Sequence, residues 1–317
     1  MLNLSLLRTF RIKQKGFFQD FKLDGVCDSP MHILFALAVL LSGFAPLGAA
    51  PSAAEQSKHV PAGYSLAWQD EFNAPRQPGA AFATPDPAEW TYETGAHGWG
   101  NNELQNYISG KEGKGHAATI SDGTLKITLH KNATDKHPLS ARINTKRSWK
   151  YGYFEARLKL PTGKGTWPAF WMMPATGGKW PDCGEIDIME EVGRDPNVIH
   201  STIHCKAYNH SRGTQKGKQI KVPTAESEFH IYAVEWTEDF IRGFVDGQRY
   251  FEFPNDKKGN KDTWPFDVPF YLKLNLAWGG NWGGGGKQDV DKSKLPATYE
   301  IDYVRVYQKK LPRSAGL

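Results

Sequence analysis

Three acids in six positions, Glu185, Asp187 and Glu190, are the residues best placed to do chemistry in this chain. Ile186, Ile188 and Met189 lie between them, and this apolar, mostly β-branched filling predicts a strand. Alternation puts Glu185 and Asp187 on one face. Strict alternation would turn Glu190 to the other face. One extra residue, a β-bulge near Ile188-Met189, brings it back. Three carboxylates then line one wall, and their mutual repulsion raises at least one pKa. A carboxylic acid beside a carboxylate is the pair that glycoside hydrolysis uses. One protonates the leaving oxygen and the other attacks. Spacing alone also fits solvated acids on an exposed strand face, or a hard-cation site, since no His is adjacent.

The elements that must position these acids are short strands. Leu125, Ile127 and Leu129 alternate with polar residues after the turn Asp122-Gly123. Phe154, Ala156, Leu158 and Leu160 alternate with Tyr153, Glu155, Arg157 and Lys159. Ile241 to Val245 and Arg249 to Phe253 read as a hairpin about Asp246-Gly247. Phe270 to Ala277 and Tyr299 to Tyr307 are late strands. Lys257 to Lys261 and Gly283 to Gly286 read as surface loops. No segment sustains a helical period, and no solenoid repeat is present. The expectation is an all-β, two-sheet antiparallel sandwich over about residues 60–310.

The chain has 317 residues with 11 Trp, 12 Tyr and 17 Phe, an aromatic content that suits a sugar binder. The formal net charge of +5 is spread along the chain without a dense basic block, which argues against nucleic-acid binding. Residues 1–54 read as a targeting segment. Ile33 to Ala45 is apolar but short for a membrane span, and Ser52-Ala53-Ala54 is a cleavage site ahead of Glu55. Met31 is an alternative start, and a membrane anchor is the competing reading. Residues 55–62 then form a linker, 63–310 the catalytic domain and 311–317 a tail. Cys27 is lost on processing. Cys183 and Cys205 point to different faces by parity, so two free, buried thiols are expected. The triplets at Asn132 to Thr134 and Asn209 to Ser211 match a glycosylation pattern that says little without a known host.

The acid strand, preceded by Trp180-Pro181-Asp182-Cys183-Gly184, closely resembles the signature of glycoside hydrolase family 16. The match is to its laminarinase-like, endo-β-1,3-glucanase branch, which carries the extra Met. Other stretches agree: Trp68 to Asn73, Gly98 to Gln105, Trp167 to Met172, Leu274 to Trp282 and Ile301 to Tyr307. The resemblance implies a β-jelly roll whose concave sheet forms an open cleft. It assigns Glu185 as nucleophile, Glu190 as acid/base and Asp187 as the residue that tunes the pair. Cleavage then needs no cofactor. The family often holds one structural calcium on the convex side, where Glu71 and Asp302 match ligand positions and Gly123 offers a carbonyl. One departure is Tyr153, after Tyr151-Gly152, where laminarinases usually carry Arg. It puts a usual sugar contact in doubt.

Sugar rings stack their C–H faces on aromatic side chains. Trp99, Trp167, Trp171 and Trp278 are candidates, each competing with a place in the core. Trp167 and Trp171 share parity, with Trp167 the stronger wall residue and Trp171 nearer the core. Asn101 follows Gly100 in the loop where the resemblance places substrate contacts. His204 is where the family sets a His beside the acid/base. The reading that results is a secreted, monomeric enzyme acting on a β-glucan, retaining and endo-acting, without stable membrane association after processing. The same acids also serve β-1,3-1,4-glucanases, other polysaccharide hydrolases and transglycosylases of the family. A noncatalytic glycan-binding module is the reading from another class, and the presence of all three acids argues against it.

Overall fold

The computed structural model describes residues 58–73, 82–133, 136–286 and 288–309. The expected targeting segment, Cys27, Thr134 and the tail lie outside them. The β-branched and aromatic runs form two antiparallel sheets. One has seven strands in the order Lys216–Lys221, Val198–His204, Glu185–Glu190, Thr166–Pro174, Phe270–Trp278, Arg142–Thr145 and Trp90–Tyr92. The other is built round Gly152–Lys159 and the long strand Ala297–Lys309, with His230–Trp236 next to the first and Thr124–Leu129 next to the second. The expected sandwich of jelly-roll type is the fold. Among the described residues no helix is long and apolar enough to cross a membrane.

Alternation decides what fills the space between the sheets. Phe154, Ala156 and Leu158 point inward from one sheet, and Phe170, Met172, Ile186 and Leu274 from the other; all are buried in one apolar cluster. Both hairpins read from the sequence turn on two residues with positive φ, Asp122-Gly123 (55° and 76°) and Asp246-Gly247 (48° and 80°). That geometry matches the right-handed twist of the paired strands.

Three expectations need correcting. Tyr153 faces away from Phe154, on the outer side of the sheet opposite the acids, where it packs with Ala233 and Tyr307. Its departure from the family pattern therefore does not touch the cleft. Gly283 to Gly286 is not simply a surface loop. Gly280–Gly283 forms one helical turn, and Gly283 and Gly284 are buried. A Cβ on Gly280 would come within 2.7 Å of the Asn101 carbonyl oxygen, so glycine permits this turn to close on the Gly98 to Glu103 loop. Both cysteines are free, as expected, but only Cys205 is fully buried; Cys183 is partly exposed.

Candidate active site

The acid strand lies between Thr166–Pro174 and Val198–His204. Against the first, Asp187 pairs with Trp171 and Met189 with Phe170, so Ile188 is the residue in excess. Against the second, Asp187 pairs with Thr202 and Glu190 with His200. This is the bulge that the spacing demanded, at the place it demanded. The Ser201 hydroxyl donates to the Asp187 carbonyl at 2.8 Å and ties the bulged stretch down. Ile186, Ile188 and Met189 turn into the core. Glu185, Asp187 and Glu190 all line one cavity of about 340 Å³.

Aromatic and amide side chains make the walls. The Trp167 indole donates to Glu190 Oε1 at 3.0 Å, and that of Trp171 to Asn275 Oδ1 at 2.7 Å. Both rings line the cavity, so Trp171 stands level with Trp167 and not nearer the core. Trp99, with a positive φ of 50°, and Asn101 line it from the Gly98 to Glu103 loop. Glu103 behind them is buried and accepts from Gln105 at 2.6 Å.

Two sequence assignments to the cavity wall fail. Trp278 is fully buried in the core. On its strand Asn275 and Ala277 hold the cleft parity, and both line the cavity. His204 does not line the cavity, although it opposes the rise in pKa at both Glu185 and Glu190, as a modulator of the acids should. It pairs across strands with Glu185, and its Nε2 lies 3.9 Å from Glu185 Oε1 and 3.4 Å from Asp187 Oδ2. It is buried behind the acids.

Several lining residues were missed. Parity applied to Leu274 to Trp278 would have found Asn275. Trp180, in the stretch leading into the acid strand, lines the cavity and favours the charged form of Glu185. Arg142 carries no local signal. Its guanidinium lies 4.6 Å from the Trp99 ring and 4.8 Å from the Trp171 ring, contacts with a loop and a strand distant in sequence.

Burial sets the electrostatics. It lifts Glu185 to about 8, with the Asp187 charge adding to the rise and His204, Arg142 and Trp180 opposing it. Burial likewise lifts Asp187, against a hydrogen bond with Glu185 that favours its charged form. Glu190 is raised well above the ordinary range by burial, then by the charges of Asp187 and Glu185. Three acids so close cannot all ionise, so the row retains protons. Glu190, pressed by both neighbours, is the proton holder. Glu185, nearest Arg142 and Trp180, is the group to be freed as a carboxylate. Glu185, Asp187 and His204 also form the one metal-like cluster of three ligand types among the described residues. Two of its members, Glu185 and Asp187, belong to the row of acids on the cavity wall.

The proposed calcium ligands Glu71, Gly123 and Asp302 lie on or next to neighbouring strands of the sheet opposite the acids. Asp70 pairs with Val304, and Leu125 with Ile301. Both carboxylates are engaged, however. Glu71 accepts from Arg305 at 2.7 and 2.6 Å, and Asp302 from Arg157 at 2.7 Å. As they stand, these side chains fit guanidinium groups rather than an ion. A hard cation there would draw on main-chain carbonyls.

A family model described as glycosyl hydrolases family 16 matches residues 105–305. A β-glucanase from Rhodothermus marinus is 46% identical over 285 residues, covering 86% of this chain and 93% of that protein. Among solved structures, the laminarinase from Rhodothermus marinus superposes with a TM-score of 0.71 at 46% identity, covering 78% of this chain and 98% of that one. SCLam, described as a non-specific endo-β-1,3(4)-glucanase, gives a TM-score of 0.71 at 45% identity, over 79% of this chain and 93% of its own.

Proposed function

The chain belongs to glycosyl hydrolase family 16, and we propose that it is an exported endo-β-glucanase cutting β-1,3 bonds of laminarin-like glucans with retention. The observation that carries this is the bulge, which turns Glu190 onto the same cavity wall as Glu185 and Asp187. In the first step Glu185 attacks the anomeric carbon and Glu190 passes its proton to the departing oxygen. In the second, Glu190 takes a proton from water, which attacks the same carbon and releases Glu185. Asp187 and Glu185 lie side by side on one strand face, both with raised pKa values, so a proton on one favours the charge of the other. When that proton lies on Asp187, Glu185 is a free nucleophile. Trp99, Trp167 and Trp171 offer stacking surfaces, and Asn101 and Asn275 offer amides to hydroxyls.

A second reading changes the polymer and keeps the residues: mixed β-1,3-1,4-glucan, favoured by the likeness to SCLam. Product analysis on laminarin, barley mixed-linked glucan, agarose and carrageenan decides. Laminari-oligosaccharides from laminarin, faster than any product from the other polymers, are expected. No reducing sugar from laminarin would refute the reading.

Export rests on the apolar run from Ile33 to Ala45 and the small residues before Glu55. Terminal sequencing of secreted protein should begin near Glu55. A structural calcium near Glu71, Gly123 and Asp302 and a monomeric state complete the proposal. No nucleic acid or membrane partner is part of it.

A further inference from the structure

Lys273 stands on the concave sheet in the same parity as Asn275 and Ala277, yet it is only 1% exposed. It pairs across strands with Trp171 on one side and Asn144 on the other. Its ammonium donates to Glu93 Oε1 at 2.7 Å and lies 4.9 Å from the centroid of the Trp171 ring. Glu93 also pairs with Arg142 and accepts from Asn144 at 3.0 Å. Two cations thus share one carboxylate, and both touch Trp171. Replacing both members of a buried ion pair with apolar residues is often neutral or stabilising, so a charged pair kept here calls for a role beyond packing.

We propose that Lys273 is a positioning residue for substrate: tied to Glu93, its ammonium braces the Trp171 ring and fixes it as part of the cleft wall. A cation near a desolvated aromatic face is attracted by the ring quadrupole, and Trp responds most strongly. The Trp171 N–H bond to Asn275 fixes the ring edge, while Lys273 and Arg142 restrain its face. A preorganised ring gives a stacked sugar its contact without the ordering cost. The groups facing Lys273 are Glu93 beyond Trp90–Tyr92, Arg142 and Asn144 on the neighbouring strand, Trp171, Tyr271, and Glu185 through its charge. Burial lowers the ammonium to about 8, and Arg142 adds to this, while Glu93 and Glu185 oppose it.

The proposal rests on the glucan reading, and its test separates the two. Binding of a laminari-oligosaccharide is measured by calorimetry in a Glu185→Gln background, where turnover is blocked. Adding Lys273→Met should weaken binding about tenfold, equivalent to about 1.4 kcal/mol. Glu93 keeps Arg142 and Asn144 as partners, and binding is compared at a temperature where both variants are folded. In a Glu185→Gln, Trp171→Ala background the same change should have almost no effect, because the ring it braces is gone. An unchanged Kd, or the same loss with and without Trp171, would overturn the proposal. If Lys273→Met does not fold, Lys273→Gln, which keeps a donor for Glu93 and removes the cation, is measured with the same expectations. Failure of the Glu185→Gln protein itself to bind would count against the glucan reading instead.

Discussion

Glu190 has one polar partner that tunes it from the wall, the indole N–H of Trp167 at 3.0 Å. That bond favours the carboxylate and so lowers a pKa that burial raises. Trp167→Phe keeps a ring in the wall and removes the bond. Glu190 should then hold its proton to higher pH, and the alkaline limb of kcat/KM should move upward. A limb that stays or moves down would show that the bond does not act on the acid/base. Trp167→Ala removes the ring as well. Its main effect should be a rise in KM of about tenfold, because a stacking platform holds ground state and transition state alike. A variant that fails to fold would place Trp167 in the core. At this scale the three acids and Trp99, Trp167 and Trp171 were legible in the sequence, because residue type and motif carried them. Arg142 and Lys273 were not, because what makes them matter is a shared contact with Trp171, which lies on the strand Thr166–Pro174.

At the scale of the strand, the site depends on a count of residues. Between Asp187 and Glu190 the chain spends one residue more than its neighbours, and Ile188 and Met189 both go to the core. Deleting Met189 would leave a regular strand with Glu at the fourth position, on the face of Glu185 and Asp187. That variant should keep measurable activity. Inserting one residue at the same place also gives an even spacing, but six residues of strand carry the Glu about 20 Å along from Glu185, too far for the two carboxyls to act on one bond, so activity should be abolished. Reducing-sugar release from laminarin reads both, and equal activity in the two variants would contradict the account. Parity reasoning located the bulge because acid spacing and strand period conflicted visibly. The same reasoning, not applied to Leu274 to Trp278, would have sent Trp278 to the core and Asn275 to the cleft. His204 was read from the family's wording, whereas cross-strand register sets it opposite Glu185. Register is fixed by pairing between strands and is not written in either strand alone.

For the molecule as a whole, catalysis and stability pull on the same carboxylates. Burial raises Glu155 to about 7 and Glu185 and Glu191 to about 8. A raised carboxyl means that the folded chain binds more protons than the unfolded one, so stability falls as pH rises towards that value. Histidines with lowered pKa values, His59, His130, His200 and His210, act in the opposite sense, but only below their ordinary 6.5. Between pH 6.5 and 8 the melting temperature should therefore drop, and Glu185→Gln should make the drop smaller. An equal drop in both proteins would mean that Glu185 does not contribute. Calcium should raise the melting temperature and leave turnover nearly unchanged, since the proposed ligands lie on or next to the sheet opposite the acids and an ion that binds only the folded state stabilises it. Equal melting temperatures with calcium and with chelator would remove the ion from the account. The central claim, that Glu185 forms a covalent bond to the sugar, is tested most directly by mass spectrometry of the intact protein after exposure to a 2-deoxy-2-fluoro laminaribiosyl fluoride. The expected result is one added fluoro-disaccharide, on the peptide containing Glu185, that is absent from Glu185→Gln. A mass gain on another carboxylate, or none from protein that hydrolyses laminarin, would contradict it.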